Sequence, residues 1–600
     1  MGGSCSRKRD QLTNEDVLQR VICRKYSKTA SYKWLAASSN RSCNGAEGDV
    51  RCPSLMELCI KSACENIQNY PTFSILPRDV SQLIFDALVK SQRLTDVSFK
   101  KFQNCALQDI HLGDFFGVND SWMDVIASQG SSLLSVDLSG SAVTDCGLIC
   151  LQNCQNLQAL NFNYCESITD AGLGHIRGFS SINSLSFKRN NLITAEGLAA
   201  LAGLVNLMTL DLERCPGISG GLAHLKGLSK LESLNIQWCN CITDNDMEEL
   251  SGLLNLKDLQ ISCCKVTDMG VSYLNGLRKL NLLNLEGCPV TAACLETLSA
   301  LSDLQVLNLS RCHLSDDGCH KFSEFGRLKD LNVGFNDITD ACLVHLKGLK
   351  NLESLNLDSC RIGDEGLINL SGLRLLKSLV LSDTEVGSSG LNHLSGLANL
   401  ESINLSFTLV TDNGLRKLSG LSSLKSLNLD VRQITDSGIA ALTSLTSLTH
   451  LDLFGARITD SGTSYLRSFK NLLSLEICGG GLTDAGVKNI KEIRSLSLLN
   501  LSQNCNLTDK SLELISGTFV PSNYSSVDFY ASLIQYEVAG LSQLVSLNMS
   551  NSRVTGSGLR HLRTLKNLRS LTLESCKVTA SDIKRLQSSD LPNLVNFRPL

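Results

Sequence analysis

Apolar residues recur along this chain every 24 or 25 residues, and that period constrains the fold more than any other feature. From Leu133 onward the pattern Leu-x-x-Leu-x-Leu repeats. Its third apolar position falls at Leu138, Phe162, Phe187, Leu212, Ile236, Ile261, Leu285, Leu309, Val333, Leu357, Leu381, Leu405, Leu429, Leu453, Ile477 and Leu501. After one gap of 48 residues it resumes at Met549, Leu573 and Phe597. Each unit is long enough for one short strand and a helical return. No single unit buries its apolar face, so a core forms only when neighbours stack. The expected product is an elongated solenoid with a long concave strand surface, suited to recognition and implying no reaction of its own.

The period overrides the reading of 600 residues as several globular domains. A net charge of −4 argues against a general nucleic-acid binder, which needs a strong basic excess. The sequence has no apolar run long enough for a membrane span and no apolar signal-peptide core. The 25 cysteines are therefore expected to be reduced. No phosphate loop, His-Glu-x-x-His or Gly-x-Ser-x-Gly motif occurs, and Gly479-Gly480-Gly481 lacks a following Lys-Ser/Thr. His175, His224, His345, His393 and His561 sit in the helical halves of separate repeats. The expectation is a non-catalytic chain with no cofactor and no metal.

Within each unit, certain slots recur. Cys165, Cys215, Cys239, Cys264, Cys288, Cys312, Cys360 and Cys576 all lie three residues after the last strand apolar residue, where Asn190, Asn336 and Asn504 stand in other repeats. One cysteine per repeat, spread along a solenoid, does not converge on a zinc ion. These read as buried side chains that bond neighbouring backbone. Cys146, Cys150 and Cys154 share a helix face but have no fourth ligand nearby in sequence. Ile168-Thr169-Asp170-Ala171-Gly172-Leu173 returns as Val410-Thr411-Asp412-Asn413-Gly414-Leu415, and in shorter form at Ile434-Thr435-Asp436 and Leu482-Thr483-Asp484. Thr or Asp there supplies an oxygen for free helix N–H groups. The whole pattern resembles the cysteine-containing leucine-rich repeats carried by many F-box proteins. The resemblance implies an α/β leucine-rich-repeat solenoid, a horseshoe of about 20 repeats, over residues 101–600.

The segments ahead of the repeats carry further motifs. Residues 1–53 lack periodicity and predict a disordered tail. Met1-Gly2-Gly3-Ser4-Cys5-Ser6 fits an N-myristoylation pattern at Gly2, with Cys5 placed for palmitoylation and Arg7-Lys8-Arg9 following. Two acyl chains, or one chain with a basic cluster, make a stable anchor, so the expectation is a cytoplasmic protein held on the plasma membrane surface. A chance match in a flexible tail and a nuclear-localisation signal are the alternatives. In 54–100, Ser54 and Glu57 have capping-box spacing, and Leu55, Cys59 and Ala63 line one helix face. This segment resembles the elongin-binding BC box, Ser/Thr-Leu-x-x-x-Cys-x-x-x-Ala. Leu76-Pro77 then opens a helix whose Val80, Ile84 and Leu88 share a face. It resembles either the cullin box that follows a BC box or the first helix of an F-box, though no Trp follows to complete an F-box. Either resemblance implies an adaptor of a cullin–RING ubiquitin ligase, and a cullin, as partners, with the adaptor touching Leu55, Cys59, Ala63, Leu76, Pro77, Val80, Ile84 and Leu88. A helix that merely caps the solenoid would show similar spacing.

On the concave face, Asn or Asp recurs just before the last strand apolar residue, from Asp137 and Asn161 to Asn548, and reads as a ladder supporting the strands. The next two positions vary. They include Tyr164, Lys188, Arg189, Arg214, Trp238, Arg311, Phe335, Phe407 and Phe454, the residue types that dominate binding hot spots. These form the expected surface for a protein substrate. The motif fails across 517–540: either one degenerate repeat with Val527 and Phe529 as its strand, or an insertion. The combined expectation is a substrate receptor of a cullin–RING ligase; the alternative is a membrane-anchored scaffold or signalling adaptor.

Overall fold

A computed structural model describes residues 54–113, 115–517 and 540–598. The chain divides into two units, 1–62 and 63–600. The division falls inside helix α1, Leu55–Glu65, earlier than the boundary at residue 100 expected from the motifs.

In the second unit the apolar period becomes one open parallel sheet of 20 strands, running from Asp109–His111 to Asn596–Arg598. Strands are three residues long and pair in register with the next repeat, as Leu331 with Leu355 and Leu355 with Leu379. Parallel neighbours need a crossover, and short α- or 3-10-helical turns supply it. The central residue of each strand and the apolar residue that follows point inward: Leu355, Leu357, Leu379 and Leu381 are all fully buried. The first strand precedes the earliest repeat recognised in the sequence. Its motif, Leu107-x-x-Ile110-x-Leu112, has all three apolar residues buried.

Helix α2, Arg78–Lys90, covers the start of this stack. Phe85 packs on Phe99 and Phe102, with ring centroids 5.8 and 5.6 Å apart, and Phe99 stacks on Trp122. The Gln82 side chain donates to the Asp109 carbonyl (2.7 Å) and accepts from the Gln108 N–H (3.0 Å). An edge strand presents unpaired backbone groups, and here α2 satisfies some of them. Ile84 and Leu88 lie in this core.

Two columns of polar side chains tie neighbouring repeats together, and a third closes the turn within each repeat. Asp145 accepts from both the N–H (2.8 Å) and the hydroxyl (2.7 Å) of Thr169, one repeat later. The Thr169 oxygen in turn accepts from the Ala171 N–H, capping the next helix. Gly172 completes the motif because a Cβ there would collide with the Asp145 carboxylate. In the cysteine column, Cys165 donates to the Leu138 carbonyl at 3.2 Å and Cys288 to the Ile261 carbonyl at 3.1 Å. Asn336 makes the equivalent bond to Leu309 (2.8 Å). The third column is the Asn/Asp ladder. Asn332 accepts from the N–H of Gly334 (3.1 Å) and Asn404 from that of Ser406 (3.0 Å), so each side chain closes the turn out of its own strand.

Across the interrupted motif, Leu498–Asn500 pairs directly with Ser546–Asn548. Thr555 binds Asp509 as Thr508 binds Asp484. The sheet and the Thr–Asp column therefore close over the gap, which excludes a degenerate repeat inserted as a strand between these two. Val527, Phe529 and the rest of 518–539 lie outside the described residues.

Candidate functional site

The turn that leaves most strands places one residue in the left-handed backbone region; Val431 is an exception, its N–H donating to Leu429 within its own repeat. Glycine takes that place at Gly140, Gly287, Gly455 and Gly479, and Asn at Asn551. Cys263, Ser359, Asp383, Gln503 and Ser575 also take it, and seven further occupants are aromatic or Arg: Tyr164, Arg189, Arg214, Trp238, Arg311, Phe335 and Phe407, with φ between 56° and 61°. A left-handed non-glycine residue costs roughly 1–2 kcal/mol. Two bonds hold it there: the Asn/Asp side chain fixes the preceding residue, and the residue's own N–H donates across to the next repeat. Tyr164 donates to the Lys188 carbonyl (2.8 Å), Trp238 to that of Ser262 (2.8 Å) and Phe407 to that of Asp430 (3.0 Å). Seven of the nine residues picked from the sequence as a binding surface thus form one column. Lys188 and Phe454 stand one position earlier in their repeats.

Several members of the column contact each other. The guanidinium of Arg189 lies 5.5 Å from the Tyr164 ring centroid, that of Arg214 lies 4.7 Å from Trp238, and that of Arg311 lies 3.6 Å from Phe335. Carboxylates complete these pairs. Glu213 bonds Lys188 and lies 3.6 Å from Arg214, and Glu286 lies 3.8 Å from Arg311. Burial raises the Glu286 pKa, while Asn308 and Arg311 pull it back. Burial pushes Asp211 up to about 6. Tyr164, Phe335 and Phe407 are exposed; Trp238 and Phe454 are partly covered.

The N-terminal motif divides. Ser54 and Glu57 form the expected capping box: the Ser54 N–H donates to the Glu57 carboxylate (2.6 Å) and the Glu57 N–H to the Ser54 hydroxyl (3.2 Å). Leu55 is 78% exposed, and Met56, Leu58 and Cys59 are also exposed. Ala63 is buried. In and before α2, Pro77 is exposed and Leu76 and Val80 are half-buried. Ile84 and Leu88 are 2% and 0% exposed, so the face they share is core and is not presented to a partner. Gly2 and Cys5 lie outside the described residues.

No group of three or more His, Cys, Asp or Glu side chains among the described residues is arranged to hold a metal ion. Cys146 is exposed and Cys154 buried, so the expected helical trio does not share one environment. Burial pushes the Cys215 thiol up to about 12 and that of Cys288 to about 11, which suits the donor role these thiols have. No helix among the described residues is long and apolar enough to cross a membrane.

Sequence reasoning overlooked a further ladder. Asn156, Asn206, Asn255, Asn351 and Asn399 donate to carbonyls of the preceding repeat, at 2.8 Å for Asn351 to Gly326. Its signal was the recurrent Asn-Leu pair before these strands. It also overlooked the left-handed column, which shows only as residue diversity at a fixed offset.

A family model described as Leucine Rich repeat matches residues 153–175, 227–251, 253–274, 300–323, 348–371 and 444–466. No curated protein matches the chain. Among solved structures, an internalin of Listeria monocytogenes is 23% identical, with a TM-score of 0.44 over 64% of this chain and 99% of its own. The mouse RP105/MD-1 complex is 19% identical, with a TM-score of 0.48 over 82% of this chain and 86% of its own. A leucine-rich-repeat protein of Leptospira interrogans is 19% identical, with a TM-score of 0.39 over 77% of this chain and 95% of its own. Period, family match and in-register parallel sheet agree: this chain carries leucine-rich repeats and folds as a leucine-rich-repeat solenoid.

Proposed function

We propose that the chain is a non-catalytic recognition subunit that binds a protein along its strand-exit column. One observation carries this reading. Bulky aromatic and Arg side chains stand where the backbone favours Gly or Asn, and they stand outward. Strain kept at a surface position points to use of that position. Aromatic and Arg residues also supply the largest share of binding energy at protein interfaces.

The finer proposal is that the bound protein is a ubiquitination substrate and that α1 engages the adaptor of a cullin–RING ligase. The match of Ser54–Ala63 to a BC box supports it, as do the capping box and the exposure of Leu55 and Cys59 one helical turn apart. Burial of Ile84 and Leu88 removes part of the expected adaptor face and favours the alternative of a scaffold without a ubiquitin role. Affinity purification of the full chain beside a double variant, Leu55→Ser with Cys59→Ser, separates the two. The receptor reading predicts that the unmodified chain recovers a cullin with its adaptor. It also predicts that the variant recovers neither while melting at the same temperature. Recovery of neither by the unmodified chain overturns it. Membrane tethering rests on Met1–Ser6 alone; an unchanged membrane fraction for Gly2→Ala would refute it.

A further inference from the structure

Phe407 stands apart from the other aromatic residues in its column. Tyr164, Trp238 and Phe335 each carry an Arg from a neighbouring repeat over the ring. Among the described residues no such pair forms at Phe407, although it is 57% exposed and held in the same backbone conformation. Its surroundings also differ in charge. Six strands run from Ser354–Asn356 to Ser474–Glu476. Each offers two outward strand positions and the two positions that follow its last apolar residue. These sites hold Asp358, Asp383, Asp430, Asp452 and Glu476, together with His450, and no Lys or Arg. Arg432 follows one of the strand exits. Burial pushes Asp452 up to about 6, and neighbouring Glu476 and Asp430 push it the same way. Burial raises Asp358, and Asp383 adds to it, although Ser382 and Ser359 donate to it and Arg311 pulls it back.

We propose that the strand face from Ser354 to Glu476 is the docking surface for an extended polypeptide segment bearing arginines. This deepens, and rests on, the reading of the chain as a protein-recognition scaffold. One guanidinium of the segment stacks on Phe407, as the chain's own Arg side chains stack on Tyr164, Trp238 and Phe335. Its N–H edge then faces Asp383 on the adjacent repeat. A stacked guanidinium keeps its in-plane donors free for a carboxylate, which an ammonium does not match in geometry. Glu476 stands three repeats further on. At about 4.8 Å per parallel strand this is about 14 Å across the sheet, and the three-residue offset along the strand adds about 10 Å, so the separation is about 17 Å, or about five residues of extended chain. The segment therefore carries a second arginine about five residues after the first.

The test uses the full chain and fluorescently labelled, unstructured Gly/Ser peptides with two Arg residues in that spacing. Lys and Glu versions serve as comparisons, and binding is read by anisotropy. The Arg peptide is expected to bind, the Lys peptide more weakly, and the Glu peptide not at all. Phe407→Ser is expected to weaken Arg-peptide binding about threefold to fivefold, the size of an exposed cation–aromatic contact. Asp383→Asn with Glu476→Gln should weaken it further. Ile368→Ser, at an exposed position of the helical turn Gly366–Leu370 and off the strand face, should leave it unchanged. Ser359 and Ser575 already occupy this column, so serine is compatible with the fold, and melting curves check each variant. No binding of the Arg peptide, equal binding by Phe407→Ser, or a preference for the Glu peptide would overturn the assignment. Each of these leaves the scaffold reading standing, because the Tyr164–Phe335 stretch and other occupants remain open to it.

Discussion

Two stretches of one strand face, Asn161 to Phe335 and Ser354 to Glu476, share a backbone and differ in chemistry. The first holds cations, carboxylates and aromatic rings that satisfy one another: Arg214 lies over Trp238 and near Glu213, and Arg311 over Phe335 and near Glu286. The second keeps the carboxylates and an exposed aromatic residue, while its outward positions lack the cation. The Asn/Asp turns and the helix-cap column run through both, whereas the cysteine column gives way after Cys360 to Thr384 and Thr408, which bond within their own repeats. The repeat therefore fixes where a side chain stands and leaves its identity free. The first stretch pairs its rings with its own Arg residues, and among the described residues no such pair forms at Phe407.

The largest effects should not distinguish the stretches. Leu212→Ala and Leu405→Ala each empty a fully buried site and should cost about 2–5 kcal/mol. Urea midpoints should fall by similar amounts at similar slope. A much cheaper Leu405→Ala would mean that the two stretches do not share one packed scaffold.

Surface substitutions should separate them. Arg311→Gln removes a guanidinium from Phe335 and leaves Glu286, which is itself buried, without its cation. A loss of about 1 kcal/mol is expected. Phe407→Asn, with no internal partner to lose and with Asn tolerating the left-handed turn, should change stability by less than about 0.5 kcal/mol. Equal losses at both sites would erase the contrast.

The smallest effect is electrostatic. The folded-state pKa of Asp452, about 6, lies above its ordinary value of 3.8, so keeping it ionised opposes folding above pH 6. That penalty fades as the pH falls from 6 towards 4, because the folded chain takes up the proton first. Asp452→Asn retains an oxygen for the Phe454 N–H, as Asn does in most sister repeats. It should raise stability near pH 7.5 by about 1 kcal/mol, with a smaller gain near pH 5. A gain that grows on acidification would contradict burial of an ionised Asp452 as its source.

The period made the solenoid legible, because Leu at fixed offsets can be buried only by stacking. The Cys and Thr-Asp slots were legible because a bond between neighbouring repeats recurs along much of the stack. Ile84 and Leu88 misled, since an amphipathic stripe looks alike whether it meets a partner or the first repeats of its own chain, which these two residues meet. The strand-exit column was half legible. Residue type at a fixed offset picked out Tyr164, Trp238 and Phe407, but the left-handed backbone that aligns them and the Arg residues placed over the rings depend on geometry between repeats. The missing cation at Phe407 appears only once its sister positions are seen paired.

Hydrogen exchange of the full chain, with and without the two-arginine peptide, tests the contrast most directly. The amides of Asp383, Phe407, Gly455 and Gly479 donate between repeats and report on that face. Protection is expected across 380–480, with 160–340 unchanged. Protection centred on Tyr164 to Phe335, or none on either stretch at saturating peptide, would contradict the account.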